Sequence, residues 1–399
     1  MLSYSSRTWF FAALLLSLSF CWFGCNRKDA TASAGAGSAS ATSPAAKTGP
    51  AAANSDYGKP GEPVHLVVGY QPYYAEAWSG IVVNGLGLWK KHLPPGSTVE
   101  FSIGLQGAII VNAMLAGKQQ IGYLGDTPSI VAATKRSVAD LRIVANIGLG
   151  TDQCNVFFTR KDAPKFDNPE AALKWLDGKT VAVPKGSCTD RFARAVFKKK
   201  NITPKEYLNQ NIELITSGFR VDKLDAAVVW EPVASRLVTE GLARRVATGN
   251  DVGENDGAFI SAREDLMQQR PDVIKAWLEA ELEGEQYLAD PKNAHEVVRM
   301  VKEQTTGFDE KALWLALFGS YPASEGGAPL RLTLPFGFTP QSLELLKRGT
   351  AFLFDVKSVD VAELPQDAIQ PQFTEEILKE RGLTAPVGEV HSISETAAK

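Results

Sequence analysis

Hydrophobic residues follow two spacings between residues 64 and 261. Short apolar runs rich in β-branched residues predict strands, whereas apolar residues three or four positions apart predict helices. The predicted strands are 64–70, 99–105, 141–147, 155–159, 180–183, 212–215, 226–230, 244–247 and 258–261. Helices are predicted between them at 75–91, 108–116, 127–135, 169–176 and 191–199. This alternation indicates an α/β fold with mainly parallel sheets.

Beyond Glu264 the pattern becomes nearly all helical. The same apolar spacing predicts helices at 271–288, 291–303, 310–318, 340–354 and 374–381. We therefore expect a helical C-terminal segment that packs on the first sheet without extending it, followed by a tail at 386–399.

The chain up to residue 63 has the pattern of an export signal followed by a tether. Arg7 precedes an apolar run from Trp9 to Phe20, which has the length of a signal-peptide core and is too short to span a membrane. Residues 26–63 are mostly Ala, Ser, Gly, Thr and Pro, which cannot bury enough apolar surface to fold. We expect a signal peptide at 1–25, a disordered tether at 26–63, and a periplasmic or cell-surface protein.

The end of the signal peptide resembles a bacterial lipobox, in which a cysteine is lipidated. Gly24-Cys25 fits that motif, whereas Trp22 and Phe23 stand where lipoboxes usually carry leucine and a small residue. Because a long tether suits an anchored domain, we expect Cys25 to be lipidated and to hold the protein at a membrane. A secreted protein cut near Gly24 is the alternative.

Charge and histidine spacing exclude two classes of protein. The formal net charge is −3, so there is no basic field to attract nucleic acid. The four histidines lie far apart and show no metal-ligand spacing with each other or with cysteine. We expect no nucleic-acid partner, no metal and no other cofactor.

Polar and aromatic residues follow the predicted strands, where ligands bind in open α/β sheets. They are Gln71 and Tyr73, Gln106, Asp126 and Thr127, Asp152, Gln153 and Cys154, Ser187, Cys188, Thr189 and Asp190, and Trp230 and Glu231. We predict that they line one ligand cleft. Taken alone, the turn at Gly186 and the following Ser187 is either an ordinary strand-to-helix connection or a helix N-terminus that offers donors to a polar or anionic ligand.

Four motifs in order resemble the solute-binding proteins of ABC importers for nitrate, aliphatic sulfonates, taurine and thiamine precursors. They are GYQP, AMLAGKQQIGYLGDTP, DGKTVAVPKGS and LDAAVVWEP, and the resemblance covers residues 64–385. It implies a two-lobed type II periplasmic-binding-protein clamshell, with two crossover strands and a helical C-terminal segment packed on lobe one. Lobe one would comprise 64–153 and 258–385, and lobe two 154–257.

The resemblance also implies a function. The protein would capture a small molecule between its lobes, as a monomer, and deliver it to an ABC permease in the membrane. A non-catalytic ligand sensor is an alternative. An enzyme similar to the thiamine-pyrimidine synthases of this fold is less favoured, because the chain has no C-x₃-C-type cluster and no histidine in the predicted cleft. We expect a binding protein and no enzyme.

The chain departs from the family pattern at two places. Gln120 stands where relatives usually have Asp before Ile-Gly. Only TSGFRVDKL separates the predicted strand 212–215 from Asp225, where relatives usually have a full helix. We therefore expect a shortened edge of lobe two, with Arg220 either facing the cleft or covering the groove of the missing helix.

The charge of the ligand and the state of Cys154 and Cys188 stay open at this point. Acids such as Asp126 and Asp190, together with aromatic residues, suit an amine, amide or heterocyclic ligand. If those acids only cap helices, a donor-rich anion pocket is left. In an oxidising compartment the two cysteines suggest a disulfide, and unbonded pocket walls are the alternative.

Overall fold

The computed structural model describes residues 56–394, which form twelve strands and fourteen α-helices. The strands are β1 His65–Tyr70, β2 Thr98–Ile103, β3 Ile121–Gly125, β4 Leu141–Gly150, β5 Val156–Arg160, β6 Thr180–Val183, β7 Glu206–Asn209, β8 Ala226–Val229, β9 Ala243–Thr248, β10 Asp256–Arg263, β11 Leu330–Leu334 and β12 Gly388–His391. The helices are α1 Ser79–Gly85, α2 Trp89–His92, α3 Gly107–Leu115, α4 Asp126–Thr134, α5 Pro169–Trp175, α6 Cys188–Lys200, α7 Ile212–Arg220, α8 Val233–Thr239, α9 Glu264–Gln269, α10 Pro271–Ala289, α11 Ala294–Gln304, α12 Glu310–Leu317, α13 Pro340–Asp355 and α14 Gln372–Arg381.

The strands form two separate sheets. The first has the order β12-β11-β4-β10-β3-β1-β2, and the second has the order β7-β6-β8-β5-β9. Strands β1, β2 and β3 of the first sheet are parallel: Val68 of β1 pairs with Phe101 of β2 and with Ile121 of β3. In the second sheet β6 is parallel to β7 and β8. Strands β5 and β10 are antiparallel to both of their neighbours. The sheets are therefore more mixed than predicted, because the strands that pass between the lobes enter each sheet in the opposite direction.

Two segments join the sheets. Residues 151–155, the outbound crossing, lead from β4 to β5, and residues 249–255, the return crossing, lead from β9 to β10. Each sheet carries its own helices, and we call the first sheet with its helices lobe one and the second lobe two. The predicted two-lobed clamshell with two crossovers is confirmed, and the residue-level lobe boundaries stay a prediction.

Helix α6 is fixed to the second sheet by aromatic packing. Phe157 of β5 lies 5.2 Å, between ring centroids, from Phe192 of α6, and both side chains are fully buried. Burying the two aromatic rings against each other stabilises the contact between α6 and the second sheet. The packing sets where the N-terminus of α6 lies.

The predicted strand 212–215 is wrong. These residues begin α7, and the strand of this region is β7 at Glu206–Asn209. Asn211 caps the helix by accepting a hydrogen bond from Leu214 N–H at 2.9 Å, and Ile212, Ile215 and Phe219 are buried on one face. The helix expected to be missing is thus present, so the edge of lobe two is not shortened. Arg220 pairs with Glu240 at 2.7 Å on the surface.

The C-terminal part also differs from the prediction. Strands β11 and β12 extend the first sheet, with Leu334 paired to Gly388 and Leu330 to His391. Part of the expected tail, 388–391, is therefore a sheet strand. The predicted helices are present, and α13 packs on α4. Short strands of four and five residues isolated among helices carry too few alternating positions to be seen as a pattern.

Residues 56–63, predicted as the end of the tether, contact the folded part of the chain. Tyr57 is buried, its carbonyl accepts a hydrogen bond from Arg270 Nη1 at 2.7 Å, and Gly61 N–H donates to Asp272 at 3.0 Å. The predicted signal peptide at 1–25, the lipidation at Cys25 and most of the tether lie outside the described residues. Among the helices of residues 56–394, none is long and apolar enough to cross a membrane.

Candidate functional site

A cavity of about 280 Å³ lies between the two lobes. Lobe one contributes Gln71, Tyr74, Gln106, Gly107, Ala108, Val111, Asn112, Gly125, Thr127, Pro128, Val131 and Lys135, and lobe two contributes Pro184, Lys185, Gly186, Ser187, Cys188 and Trp230. Six residues predicted from the sequence are therefore brought together: Gln71, Gln106, Thr127, Ser187, Cys188 and Trp230.

Three helix N-termini meet at this cavity. Gly107 of α3, Thr127 of α4 and Cys188 of α6 each lie in the first turn of their helix and line the cavity. The first two helices approach closely at Gly107, where an added Cβ would lie 2.5 Å from Pro128 Cγ. Each helix N-terminus carries partial positive charge, and at α3 and α6 the N-cap side chain forms no capping hydrogen bond. Their convergence therefore favours a negatively charged ligand group.

The start of α6 keeps its backbone donors uncapped. Gly186 has φ +79°, which allows the turn, and its N–H donates to Asp190 Oδ2 at 2.9 Å. The Ser187 hydroxyl donates to the carbonyl of Pro184 at 2.6 Å and lies 2.7 Å from Thr189 Oγ1, and it does not cap the helix. The first-turn N–H groups therefore remain available to a ligand.

Asp126 is turned away from the cavity. Its Oδ1 accepts from Thr127 N–H at 2.6 Å, and its Oδ2 accepts from Arg191 Nη2 at 2.9 Å. Asp126 is fully buried and Arg191 is 5 % exposed. This carboxylate is neutralised by its arginine, so it offers no charge to a ligand.

The other acids expected at the cleft are also paired. Asp152 lies 2.7 Å from Arg245 and 3.0 Å from Arg331. Glu231 lies 3.3 Å from Arg245 and accepts from Ser235 N–H at 2.8 Å, and burial raises its pKa to about 7. Asp190 accepts from Arg194 at 2.8 Å and from the Tyr207 hydroxyl at 2.6 Å. The acid-lined cleft expected from the sequence is thus replaced by buried ion pairs, because an unpaired buried carboxylate is costly.

Several other predicted residues lie next to the cavity without lining it. The Tyr73 hydroxyl lies 3.3 Å from Thr306 Oγ1, and the buried Gln153 side chain donates to Asp152 at 3.1 Å. Thr189 is fully buried behind Ser187. Trp230 lines the cavity, and its Nε1–H donates to the carbonyl of Tyr73 at 3.1 Å, which joins the two lobes.

Cys154 and Cys188 form a disulfide, with Cα atoms 6.3 Å apart. Cys154 is fully buried in the outbound crossing, and Cys188 is 8 % exposed in the first turn of α6, at the cavity wall. The bond therefore ties the ligand-facing end of α6 to the segment that joins the lobes.

A pair of buried carboxyl groups lies beneath the cavity. The hydroxyl of Tyr74 donates to Glu76, and Cys154 N–H donates to Asp256. Burial is the main cause that raises the pKa of Asp256 to about 8 and the pKa of Glu76 well above its usual range, and the charge of Asp126 adds to both shifts. Burial thus favours the neutral form of both carboxyl groups, which lessens their mutual repulsion.

Two groups of residues at or near the cavity were not predicted from the sequence. The first is the cavity face of α3 and α4, which includes Asn112 and Lys135 and could have been found from the spacing of four along each helix. The second is the pair of arginines that neutralise Asp152, Arg245 and Arg331. Among residues 56–394, no cluster of three His, Cys, Asp or Glu side chains could hold a metal ion.

Known proteins match both the sequence and the fold. A model of the NMT1-like family matches residues 59–302. The taurine-binding periplasmic protein of Escherichia coli K12 is 30% identical over 203 residues, which are 49% of this chain and 59% of that protein. The chain thus spans less than two thirds of that curated relative.

Solved structures share the two-lobed fold. The alkanesulfonate-binding protein SsuA from Xanthomonas axonopodis, bound to MOPS, has a TM-score of 0.58 and 18% identity, over 77% of this chain and 99% of its own. The desulfurization enzyme DSZB has a TM-score of 0.56 and 17% identity, over 79% of this chain and 99% of its own. The chain therefore belongs to the NMT1-like family, which confirms the resemblance to the solute-binding proteins of nitrate, sulfonate and taurine importers carried by its sequence motifs.

Proposed function

We propose that this protein binds a small organic anion, of the sulfonate class, between its lobes and delivers it to the permease of an ABC importer. The observation that carries the proposal is the convergence of three helix N-termini on one interlobe cavity. Lys135 and Lys185 also line the cavity, whereas the nearby acids are paired with arginines. An anion that leaves water needs donors and positive charge, and this cavity supplies both.

Trp230 and the apolar residues of α3 and α4 form cavity walls that can contact the hydrocarbon part of an organic anion. Val111 and Val131 face the cavity from these two helices, and Pro184 faces it from lobe two. The relatives whose names specify sulfonates support this class. Binding would stabilise the closed lobes, because the ligand would contact α3 and α4 on one side and α6 on the other.

Calorimetry on the full-length protein tests the ligand class. We expect butanesulfonate and benzenesulfonate to bind, and butylammonium to give no heat of binding. Asn112→Asp places a negative charge in the cavity wall and should weaken sulfonate binding about fivefold or more. Gln268→Glu makes the same charge change on exposed α9, outside the cavity lining, and should leave the affinity unchanged. Binding of the amine without binding of any sulfonate would contradict the proposal.

The protein acts by binding and not by catalysis in this proposal, although DSZB shows that the fold also supports an enzyme. Cys188, the cysteine at the cavity wall, is bonded to Cys154 and so cannot act as a thiolate nucleophile. Recovery of benzenesulfonate unchanged after prolonged incubation with the protein is the expected result, and release of sulfite would overturn it.

The proposal also includes delivery of the ligand to a permease and anchoring of the protein to a membrane. We expect ligand-loaded protein to stimulate the ATPase of its importer in liposomes, whereas a sensor subunit would not. Lipidation of Cys25 would hold the protein at a membrane, as a monomer with its tether. Partition of the native protein into detergent, lost in Cys25→Ser, tests the anchor.

A further inference from the structure

The cavity is elongated along one face of α4. Thr127, Val131 and Lys135 are spaced four apart and all line it, which places the two ends of this row about 12 Å apart at 1.5 Å per residue. The inner end is at the helix N-termini, beside Gln71 and Trp230. The outer end is at Lys135, just beyond the last turn of the helix.

The wall between these two ends is apolar. Val111, Pro128 and Val131 line the middle of the cavity from lobe one, and Pro184 lines it from lobe two. A compact inorganic anion would fill only the inner end and leave this apolar surface in contact with water. The middle of the cavity therefore suits a hydrocarbon spacer.

The outer end carries positive charge without a matching acid. Lys135 is exposed, and among the described residues no carboxylate forms an ion pair with it. Lys185 lines the cavity from lobe two, next to the turn at Gly186, and its Nζ lies 4.9 Å from the ring centroid of Tyr207. A ligand ammonium group beside Lys135 would meet like charge, whereas a second anionic group there would meet an unpaired amine.

We propose that the ligand is an elongated organic dianion, with a sulfonate at the helix N-termini, an apolar spacer along α4 and a second anionic group, such as a carboxylate, at Lys135. This inference rests on the proposed function and adds to it an order of affinity among sulfonates. Dianions bind more tightly than sulfonates with a neutral tail, and zwitterions bind most weakly.

Three probes of one shape test the inference by calorimetry on the full-length protein at low salt. They are para-sulfobenzoate, para-carbamoylbenzenesulfonate and para-aminomethylbenzenesulfonate, whose tails are anionic, neutral and cationic. We expect para-sulfobenzoate to bind about fivefold more tightly than the amide. We expect the cationic-tailed probe to bind more weakly than both.

Lys135→Gln identifies the residue responsible. The measured quantity is the ratio of the affinities for para-sulfobenzoate and its amide in the same variant, so any effect on folding cancels. We expect the ratio to fall to about one in Lys135→Gln and to be kept in Lys311→Gln, which removes an exposed lysine from α12, outside the cavity lining. Equal binding of dianion and amide by the native protein, or a preference that survives in Lys135→Gln, would overturn the inference while leaving the proposed function intact. Failure of every sulfonate to bind would overturn both.

Discussion

Arg191 of α6 donates from Nη2 to Asp126 Oδ2 of α4 at 2.9 Å, and so joins the ligand-facing helices of the two lobes. The same guanidinium donates to the carbonyl of Asn255 in the return crossing at 2.8 Å and lies 3.4 Å from Glu254. Arg348 of α13 lies 2.9 Å from Glu254. A continuous chain of charges thus runs from lobe one through lobe two and back to lobe one.

Breaking this interlobe pair should be costly. In Asp126→Asn, Arg191 keeps the Asn255 carbonyl and the partly exposed Glu254 but loses its fully buried counter-charge. We expect the free energy of unfolding to fall by about 3 kcal/mol. Urea unfolding followed by circular dichroism measures the change. Arg299→Gln, which breaks surface pairs with Glu296 and Glu303, is the control and should cost less than about 1 kcal/mol. Equal losses in the two variants would show that the Asp126 pair contributes no more than a surface pair.

The acids of the cleft show which parts of the site the sequence could and could not predict. The order of the motifs was sufficient to place Gln71, Thr127, Ser187 and Trp230 at one cavity. The carboxyl ends of parallel strands meet at one edge of each sheet, and the resemblance implied that the ligand lies between the two lobes. The orientation of Asp126 could not be predicted in this way. It depends on Arg191, which lies 65 positions away along the chain and meets it only after the lobes are assembled.

The same limit explains the error at residues 212–215. A run of Ile, Glu, Leu and Ile fits a short strand and the first turn of a helix equally well. The helix is stabilised by the cap at Asn211 and by the burial of Phe219, which lies one turn beyond Ile215. Strands β11 and β12 were missed because they find their partners in β4 and in each other, far from their neighbours in sequence.

The carboxyl pair beneath the cavity predicts a pH dependence of stability. Burial raises the pKa of Asp256 to about 8 in the folded protein, against a usual value of 3.8. Between about pH 4 and pH 8 the folded state therefore holds a proton on Asp256 that the unfolded state has lost. The contribution of Asp256 to the free energy of unfolding is complete below about pH 4 and is lost as the pH rises to about 8. Asp126 and Arg191 are the charged neighbours of Asp256 and Glu76 is its titratable neighbour; Asp126 raises the pKa of Asp256, and Arg191 opposes the shift.

Asp256→Asn tests this dependence. Asparagine can still accept the hydrogen bond from Cys154 N–H, but it does not titrate. Between about pH 4 and 8, we expect the free energy of unfolding to decrease less steeply in the variant than in the native protein, by about 1.4 kcal/mol per pH unit. Urea unfolding of both proteins at about pH 5, 7 and 9 measures it. Parallel curves for the native protein and the variant would rule out Asp256 as the source.

The disulfide should stabilise the protein by restricting the unfolded chain. Cys154 and Cys188 are separated by 34 positions, for which loop-closure entropy gives about 4 kcal/mol. We expect reductant to lower the free energy of unfolding by about that amount in the native protein, and to have no effect on the double variant Cys154→Ala with Cys188→Ala. Mass spectrometry of the unfolded protein should show a gain of two hydrogens on reduction. Insensitivity of the native protein to reductant would contradict this expectation.

Trp230 should report ligand binding directly. Its side chain is 9 % exposed, lines the cavity and donates to the carbonyl of Tyr73 in the other lobe. A bound sulfonate would change both the solvent contact of the indole and this interlobe hydrogen bond, so we expect titration with benzenesulfonate to change the tryptophan fluorescence. In Trp230→Phe we expect the change to be largely lost. We expect the affinity to fall about fivefold, because the closed lobes that bind the ligand lose the hydrogen bond from Trp230 to Tyr73. Trp175, whose ring lies 4.8 Å from Lys179 Nζ and outside the cavity lining, supplies the matched control. The Trp175→Phe variant should keep both the signal and the affinity, and an undiminished signal in Trp230→Phe would place the ligand elsewhere.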